Sequence, residues 1–366
     1  MRIKSVHIEN FKGIKDLQID MEDYTGLGRD LTCILGDNGS GKTSALQAIA
    51  LPLAMATRRI RYADQFDWHG FLPERMSSLG ATLVELVVDF TDDEIRITQE
   101  LYQQWFDSLS SDFRESHQIH APSQEKQVTL SYRQNRLDSS EGYPGLHQFL
   151  GRYYVKALAK SEPRLREHYS KLGDIFWFDQ HRNLGSASAR RYSEDENTNG
   201  QTETWHTGVE KLREFLIVMW SYHIAGSKTY GKNYIPDLES RFQKVFPDRR
   251  FLQTAPRNAE GSSGVNDTYF LLQSGNKVYD LAEMSSGEQA VFPLVYEFVR
   301  LDVGNSIVLI DELELHLHPP EQQRLLNALP ALGPNNQFII TTHSQFLTDV
   351  IPNDHEVRME GGIRCL

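Results

Sequence analysis

The sequence has little of what several protein classes require. Its 366 residues include only two cysteines, Cys33 and Cys365, which by themselves make neither a disulfide framework nor a four-ligand metal site. No apolar run approaches the roughly 20 residues that span a bilayer, and the charged, strand-like N-terminus does not resemble a signal peptide. We therefore expect a cytoplasmic protein that does not associate with a membrane.

Positive charge is also scarce. The chain has 38 lysines and arginines against 50 aspartates and glutamates, so its formal net charge is −12. Such an acidic chain has no global attraction for DNA or anionic lipid, and any nucleic-acid contact needs a local basic patch or a partner. The tight basic clusters are Arg58, Arg59 and Arg61, and Arg190 with Arg191. Short runs of this kind are more typical of solvated surface.

The order of apolar residues predicts an α/β protein. Alternation predicts strands at 3–8, 14–19, 82–90, 94–98 and 127–132, which suit a small antiparallel layer. Helical spacing predicts helices within 146–172 and over 209–223 and 235–245, with a strand at 174–178 and a polar, mobile loop at 186–204. From 269 onward, strands at 269–273, 306–311 and 337–342 alternate with helices at 287–301, 320–329 and near 344, as in a largely parallel sheet.

We divide the chain into three predicted segments. Residues 1–135 form a first lobe with the antiparallel layer, 136–254 a mainly helical insert, and 255–366 a second lobe. The sequence contains no internal repeat and no heptad run long enough for a coiled-coil arm.

A glycine-rich stretch, LGDNGSGKTS at residues 35–44, lies between a short apolar strand and a helix. It matches the pattern G-x-x-x-x-G-K-[ST] through Gly36, Asp37, Asn38, Gly39, Ser40, Gly41, Lys42 and Thr43, and Ser44 continues it. The glycines let backbone N–H groups turn toward an anion, which the positive end of the helix also attracts. Lys42 is expected to reach the β- and γ-phosphates, and the Thr43 hydroxyl to bind Mg²⁺. The stretch therefore predicts a nucleoside triphosphate site.

Three further motifs fit such a site but are weak alone. Asp311 and Glu312 end an apolar strand, where one carboxylate can hold Mg²⁺ and the next can polarise a water; a solvated strand end has the same sequence. MSSGEQ at 284–289 opens a helix whose N–H groups form a second anion site, although a simple serine N-cap looks alike. His343 ends another strand, where a histidine is more often structural.

The order of these motifs resembles the ABC-type ATPase heads of the Rad50, SMC and RecF group. Within that group the chain resembles the stand-alone AAA-labelled ATPases similar to the overcoming-lysogenization-defect (OLD) proteins, many of which belong to antiphage defence systems. The opening IKSVHIENFKGIKDLQID and the stretch DELELHLHP resemble the group's N-terminal strands and extended Walker B motif. The specific motifs cover about residues 1–55 and 275–350.

The resemblance implies a role for each motif. Gly36–Thr43 corresponds to Walker A, Asp311 to the Walker B aspartate, Glu312 to the catalytic glutamate and His343 to the switch histidine. The signature motif corresponds to Met284–Gln289, so that Ser285, Ser286, Gly287 and Glu288 are expected at the nucleotide. Gln180 is a candidate Q-loop glutamine near the metal. In this family two heads enclose two ATP molecules, each held by Walker A of one chain and the signature of the other, which implies ATP, Mg²⁺ and at least a homodimer.

Three biological classes stay open on this resemblance. The first is a regulatory ATPase that senses phage or damaged nucleic acid, with DNA or a phage product as trigger, and controls a partner effector, a nuclease. The second is a DNA repair or recombination ATPase, which the missing coiled-coil arms disfavour. The third is a transporter ATPase subunit, which the long separation of Walker A from the signature disfavours. Family analogy favours the first class.

Overall fold

The computed structural model describes residues 1–116, 118–180, 209–226, 233–257 and 267–359. They form two compact units: the first comprises Met1–Asp179, Val303–Leu313 and the residues from Gly333 onward, and the second comprises Gln180–Asp302 and Glu314–Leu332. These bounds differ from the three predicted segments, which remain a prediction. The predicted loop at 186–204, with Arg190 and Arg191, lies outside the described residues.

The described residues contain 13 strands and ten α-helices. The strands are β1 (Arg2–Phe11), β2 (Ile14–Asp20), β3 (Leu31–Leu35), β4 (Leu83–Asp89), β5 (Gln127–Arg133), β6 (Arg136–Ser139), β7 (Ile175–Phe178), β8 (Arg249–Pro256), β9 (Thr268–Ser274), β10 (Lys277–Asp280), β11 (Ile307–Ile310), β12 (Gln337–Thr341) and β13 (Glu356–Arg358). The helices are α1 (Lys42–Ala56), α2 (Asp92–Ser108), α3 (Ser111–Ser116), α4 (Gly142–Gln148), α5 (Gly151–Leu158), α6 (Val209–Ile224), α7 (Ile235–Val245), α8 (Ser286–Arg300), α9 (Pro319–Ala328) and α10 (Gln345–Val350). None of the described helices is both long and apolar enough to cross a membrane.

The first unit contains two five-stranded sheets. One has the order β2-β1-β4-β5-β6 and is antiparallel, as the alternating N-terminal sequence predicts. The other has the order β13-β3-β12-β11-β7, and all its neighbouring strands are parallel. Strands β3, β7, β11 and β12 are almost entirely buried, which explains their continuous apolar runs. Their carboxyl ends lie at one edge, where ligands bind in sheets of this kind.

The second unit combines helices with a three-stranded antiparallel sheet, ordered β10-β9-β8. Its core is aromatic: Phe242 of α7 packs edge-on against Phe292 of α8 at 5.1 Å between ring centroids, and Phe251 against Phe270 at 5.4 Å. This packing fixes α8, the helix that begins at the predicted signature motif. The strand prediction at 269–273 and the helix predictions at 235–245 and 287–301 are confirmed.

The predicted strand at 94–98 is wrong, because these residues belong to α2. The Thr91 hydroxyl accepts a hydrogen bond from the Glu94 amide, and the Glu94 carboxylate accepts one from the Thr91 amide, which together form a capping box. Beyond it, Ile97 and Leu101 are buried on one helix face with α5. The cap and the four-residue spacing of Ile97 and Leu101 therefore outweigh the strand-like alternation of Ile95 and Ile97.

Candidate functional site

The glycine-rich loop joins β3 to α1 in the first unit, as predicted. Gly39 and Gly41 have φ angles of 80° and 99°, a left-handed backbone that disfavours side chains and turns the loop around. The Lys42 ammonium donates to the carbonyl oxygens of Gly36 at 2.7 Å and Asp37 at 2.9 Å. The Ser40 hydroxyl is buried and has no hydrogen-bond partner in the structure. The loop thus holds a charged amine and a polar group ready for an anion.

The Asp311 carboxylate lies against the start of α1. The Thr43 hydroxyl donates to its Oδ2 atom at 2.8 Å, and only 1% of Asp311 is exposed. The backbone N–H of Asp311 donates to the Phe178 carbonyl of β7. Sheet pairing across β7, β11 and β12 therefore fixes an acidic group beside the hydroxyl that follows the glycine loop.

Glu312 follows in a strained position. Its φ angle is 50°, in the left-handed region that is rare for a residue with a side chain and that is often found at functional sites. Its side chain is 30% exposed, and its Oε1 atom lies 3.8 Å from Nε2 of His343, whose side chain is 34% exposed. The structure thus brings together Lys42, Thr43, Asp311, Glu312 and His343 within one unit.

Thr341, at the end of β12, is a site residue that sequence reasoning missed. Its hydroxyl donates to Asp311 Oδ1 at 2.6 Å and accepts from the Glu312 amide at 2.8 Å. The signal lay in the register of the parallel sheet: Ile310 pairs with Ile340, so that the next residues on the two strands are neighbours. A threonine at the end of a strand beside the carboxylate pair was visible in the sequence, but its pairing was not.

The predicted signature residues lie in the second unit, at the start of α8. Ser285 caps this helix, because its hydroxyl accepts from the Glu288 amide at 3.3 Å. Ser285 and Ser286 are exposed, whereas Gly287 is buried, and a Cβ atom there would lie 3.1 Å from the His316 carbonyl oxygen. The exposed serines and the positive end of α8 form a surface to which an anion can bind.

The Glu288 carboxylate is occupied within its own unit. It is 2% exposed and accepts hydrogen bonds from the Tyr279 hydroxyl at 2.6 Å, from the amide and hydroxyl of Ser285 at 2.7 Å each, and from Arg249. Burial alone would raise the pKa of Glu288, but the hydrogen bonds from Tyr279, Ser285 and Arg249 lower it below its ordinary value. The contacts in the structure make this carboxylate the anchor of the helix start; its predicted contact with nucleotide remains a prediction.

Replacing Glu288 by glutamine is expected to destabilise the second unit by about 1–3 kcal/mol, because Arg249 loses a buried charged partner. Since the folded-state pKa is lowered, the carboxylate stabilises the fold above its unfolded pKa of about 4.5 and loses this effect as the pH falls further. Thermal unfolding of Glu288→Gln and wild type should therefore differ most between pH 5.5 and 7, and the difference should shrink as the pH falls from about 4.5 through the lower folded-state pKa. A Glu214→Gln control, at an exposed position of α6, should match wild type throughout. A pH-independent difference would contradict this assignment.

Gln180 directly follows Asp179 beyond β7 and is the first residue of the second unit. Its predicted role near the metal remains a prediction. Within the described residues, no group of three or more histidine, cysteine, aspartate or glutamate side chains is arranged to hold a metal ion. Beside a nucleotide, Mg²⁺ usually binds through one or two protein oxygens together with phosphate oxygens, rather than in a cage of protein ligands.

The profile of one protein family, described as "AAA domain, putative AbiEii toxin, Type IV TA system", matches residues 31–349. Two relatives are similar over nearly the whole chain. The retron Vc95 probable ATPase of Vibrio cholerae serotype O1 biovar El Tor is 23% identical over 97% of this chain and 72% of its own length. The retron Ec83 probable ATPase of Escherichia coli is 24% identical over 99% of this chain and 72% of its own length.

Among solved structures, the fold is similar to that of an SMC head bound to the C-winged helix domain of ScpA. The TM-score is 0.52 at 15% sequence identity, over 99% of this chain and 96% of that one. This likeness concerns the fold alone, and it confirms the predicted fold class, the α/β fold of an ABC-type head.

Proposed function

The chain belongs to the AbiEii-type AAA domain family and is an ATPase of the kind found in defence systems, and we propose that it binds ATP with Mg²⁺ and hydrolyses it in the first unit. The observation that supports this most is the hydrogen-bonded group at the end of the glycine loop. There the Thr43 hydroxyl donates to the Asp311 carboxylate, and the Thr341 hydroxyl links that carboxylate to the Glu312 amide.

The residues of the loop fit a triphosphate. The unpartnered Ser40 hydroxyl and the loop N–H groups are suited to phosphate oxygens, and Lys42 can exchange its two loop carbonyls for the β- and γ-phosphates. Thr43 and Asp311 supply the hard oxygen donors that Mg²⁺ prefers, and would hold it. Bound there, the ion would neutralise charge on the phosphates.

The chemistry of the site follows from its two carboxylates. Asp311 is buried and hydrogen-bonded, which suits a fixed ligand, whereas Glu312 is partly exposed and can accept a proton from a water molecule. That water attacks the γ-phosphorus, a new P–O bond forms, and the bond to the ADP oxygen breaks. Lys42 stabilises the charge on the transferred phosphoryl group. We expect His343, whose Nε2 atom lies 3.8 Å from Oε1 of Glu312, to contact the same phosphate.

We propose further that the signature of one chain completes the site of a second copy. Support comes from the exposed Ser285 and Ser286 at the start of α8, an anion-binding surface that belongs to a different unit from the glycine loop. The active form is then at least a homodimer with ATP between its heads. On the family relationship, this dimer responds to DNA or a phage-derived trigger and regulates a partner effector, a nuclease.

The proposed ATPase activity is tested by phosphate release from purified wild-type protein with Mg²⁺ and ATP. Release should depend on both protein and Mg²⁺, and Glu312→Gln protein purified identically provides the inactive comparison. Phosphate release no faster than that of the variant would contradict the proposal.

Sharing of the site between chains predicts complementation. Ser285→Arg should lower the ATPase rate at least about tenfold, because the bulk of the arginine side chain on α8 prevents closure on the γ-phosphate. Since the substitution also removes an N-cap of about 1 kcal/mol, Ser286→Arg, which keeps the Ser285–Glu288 cap, should give the same result. Mixing either variant with Lys42→Ala should restore turnover, because one composite site per heterodimer is intact.

The measurement is the ATPase rate as a function of mixing ratio, with each variant alone as baseline and ATP binding checked separately. Both arginine variants should bind ATP nearly as wild type does, because the glycine loop is unchanged. Wild-type turnover by folded Ser285→Arg and Ser286→Arg proteins would show that α8 does not complete the site.

A further inference from the structure

Thr341 bonds to both carboxylate residues of the proposed site at once. We propose that it is a positioning residue for ATP hydrolysis, one hydroxyl that orients the Asp311 carboxylate and holds the backbone of Glu312. The inference rests on the proposed function and assigns this site a residue that its sequence motifs do not include.

The contacts of Thr341 surround the turn after β11. Its hydroxyl donates to Asp311 Oδ1 at 2.6 Å and accepts from the Glu312 amide at 2.8 Å, and its carbonyl oxygen accepts from the Leu313 amide at 3.0 Å. Thr341 itself is fully buried. Three successive residues are thus held by one residue of the neighbouring strand.

The Thr341 hydroxyl donates one hydrogen bond and accepts another, and the chemistry of its two partners decides which is which. A hydroxyl has one proton and two lone pairs, so donation to Asp311 leaves its lone pairs for the Glu312 amide. With Oδ1 engaged in this way, the Oδ2 atom of Asp311 is directed to the Thr43 hydroxyl at 2.8 Å, on the side of the glycine loop. The orientation of the proposed metal ligand and the position of the proposed base are therefore set together.

Glu312 needs such a hold because of its backbone. At a φ of 50° a residue with a side chain is strained, and surrounding contacts must keep it there. Without the hydroxyl the Glu312 amide loses this hydrogen bond, and the turn can relax. The Glu312 carboxylate then moves away from the attacking water. In the proposed reaction it takes a proton from that water as the water bonds to the γ-phosphorus and ADP departs. A displacement of about 1 Å costs a rate factor of about 10².

The test uses three substitutions in the full chain. Thr341→Val keeps the shape and removes the hydroxyl, and Thr341→Ser keeps the hydroxyl. Thr32→Val, on the adjacent strand β3, is the matched control, because Thr32 is equally buried in the same sheet and its hydroxyl has no partner in the structure. Readouts are kcat and KM for ATP, thermal unfolding, and the Kd of mant-ATP with EDTA and over a Mg²⁺ titration.

Thr341→Val is expected to lower kcat about 10²-fold while KM for ATP changes less than about threefold. The Kd of mant-ATP should be unchanged in EDTA. The Mg²⁺ concentration that gives half of the maximal decrease in this Kd should rise several-fold. Thr341→Ser should stay within about threefold of wild type, and Thr32→Val should match wild type. This combination distinguishes a positioning role from a general loss of stability. A general loss of stability would lower the unfolding temperature without changing the Mg²⁺ dependence of mant-ATP binding.

Two results would overturn the inference: wild-type kcat and Mg²⁺ dependence in Thr341→Val, or equal impairment of Thr341→Val and Thr341→Ser, which would point to packing of the methyl group. In both cases the wild type would hydrolyse ATP and Glu312→Gln would not. A wild type that releases no more phosphate than Glu312→Gln would instead refute the proposed function.

Discussion

Glu312→Gln protein is expected to hydrolyse ATP at least about 100 times more slowly than wild type, while still binding the nucleotide. Glutamine has the shape of glutamate but cannot accept a proton from water, so the loss falls on the chemical step. The glycine loop, Lys42 and Asp311 are unchanged, and the Glu312 amide keeps its bond to Thr341. ATP should therefore accumulate in the site.

Single-turnover hydrolysis and mant-ATP binding separate the two expectations. Because ATP stays bound, size-exclusion chromatography should show a dimer of Glu312→Gln that ATP induces and ADP does not. Glu85→Gln is the matched control, since this glutamate lies in the antiparallel sheet of the same unit with a side chain that is 34% exposed, against 30% for Glu312. Wild-type turnover in Glu312→Gln, or an equal loss in Glu85→Gln, would contradict the role of Glu312.

The position and the backbone turn of the glycine-rich loop could be predicted because that information is local. Gly39 and Gly41 adopt positive φ angles, and Lys42 and Thr43 follow at the first turn of α1. The edge with Asp311 and His343 was also predictable, because parallel buried strands place their carboxyl ends together. A short apolar run followed by a polar residue is sufficient to predict which residues lie at this edge of the sheet.

What the sequence did not reveal depends on pairing between distant segments. The bonds of Thr341 require the register of β11 against β12, and the bonds of Glu288 to Arg249 and Tyr279 require the three-stranded sheet, of which β8 and β10 were not predicted. Arg59, part of a cluster that was expected to be solvated, donates to Asp174 at 2.7 Å. Side-chain hydrogen bonds of this kind leave no periodic pattern in the sequence.

Lys42→Ala protein is expected to lose ATP binding, and turnover with it, while keeping the fold. Each hydrogen bond from a charged amine to a phosphate is worth about 1.5–3 kcal/mol, so loss of the two that Lys42 is positioned to make weakens binding by at least about 100-fold. Lys42 is buried, and its amine holds the Gly36 and Asp37 carbonyls in the structure. Alanine could therefore loosen the loop as well as remove the charge.

Lys42→Met separates these two effects, because methionine fills most of the same volume without charge. If the charge is what binds phosphate, both variants lose mant-ATP binding equally, and their unfolding temperatures lie close to wild type. Lys4→Ala removes a partly buried lysine that pairs with Glu22 at 2.6 Å in the same unit, and it should leave binding and turnover unchanged. Binding of mant-ATP by folded Lys42→Ala and Lys42→Met with wild-type Kd would show that the loop does not hold a triphosphate. A loss in Lys42→Ala that Lys42→Met restores would show that the side chain acts by supporting the loop, because only a charged amine can attract the phosphates.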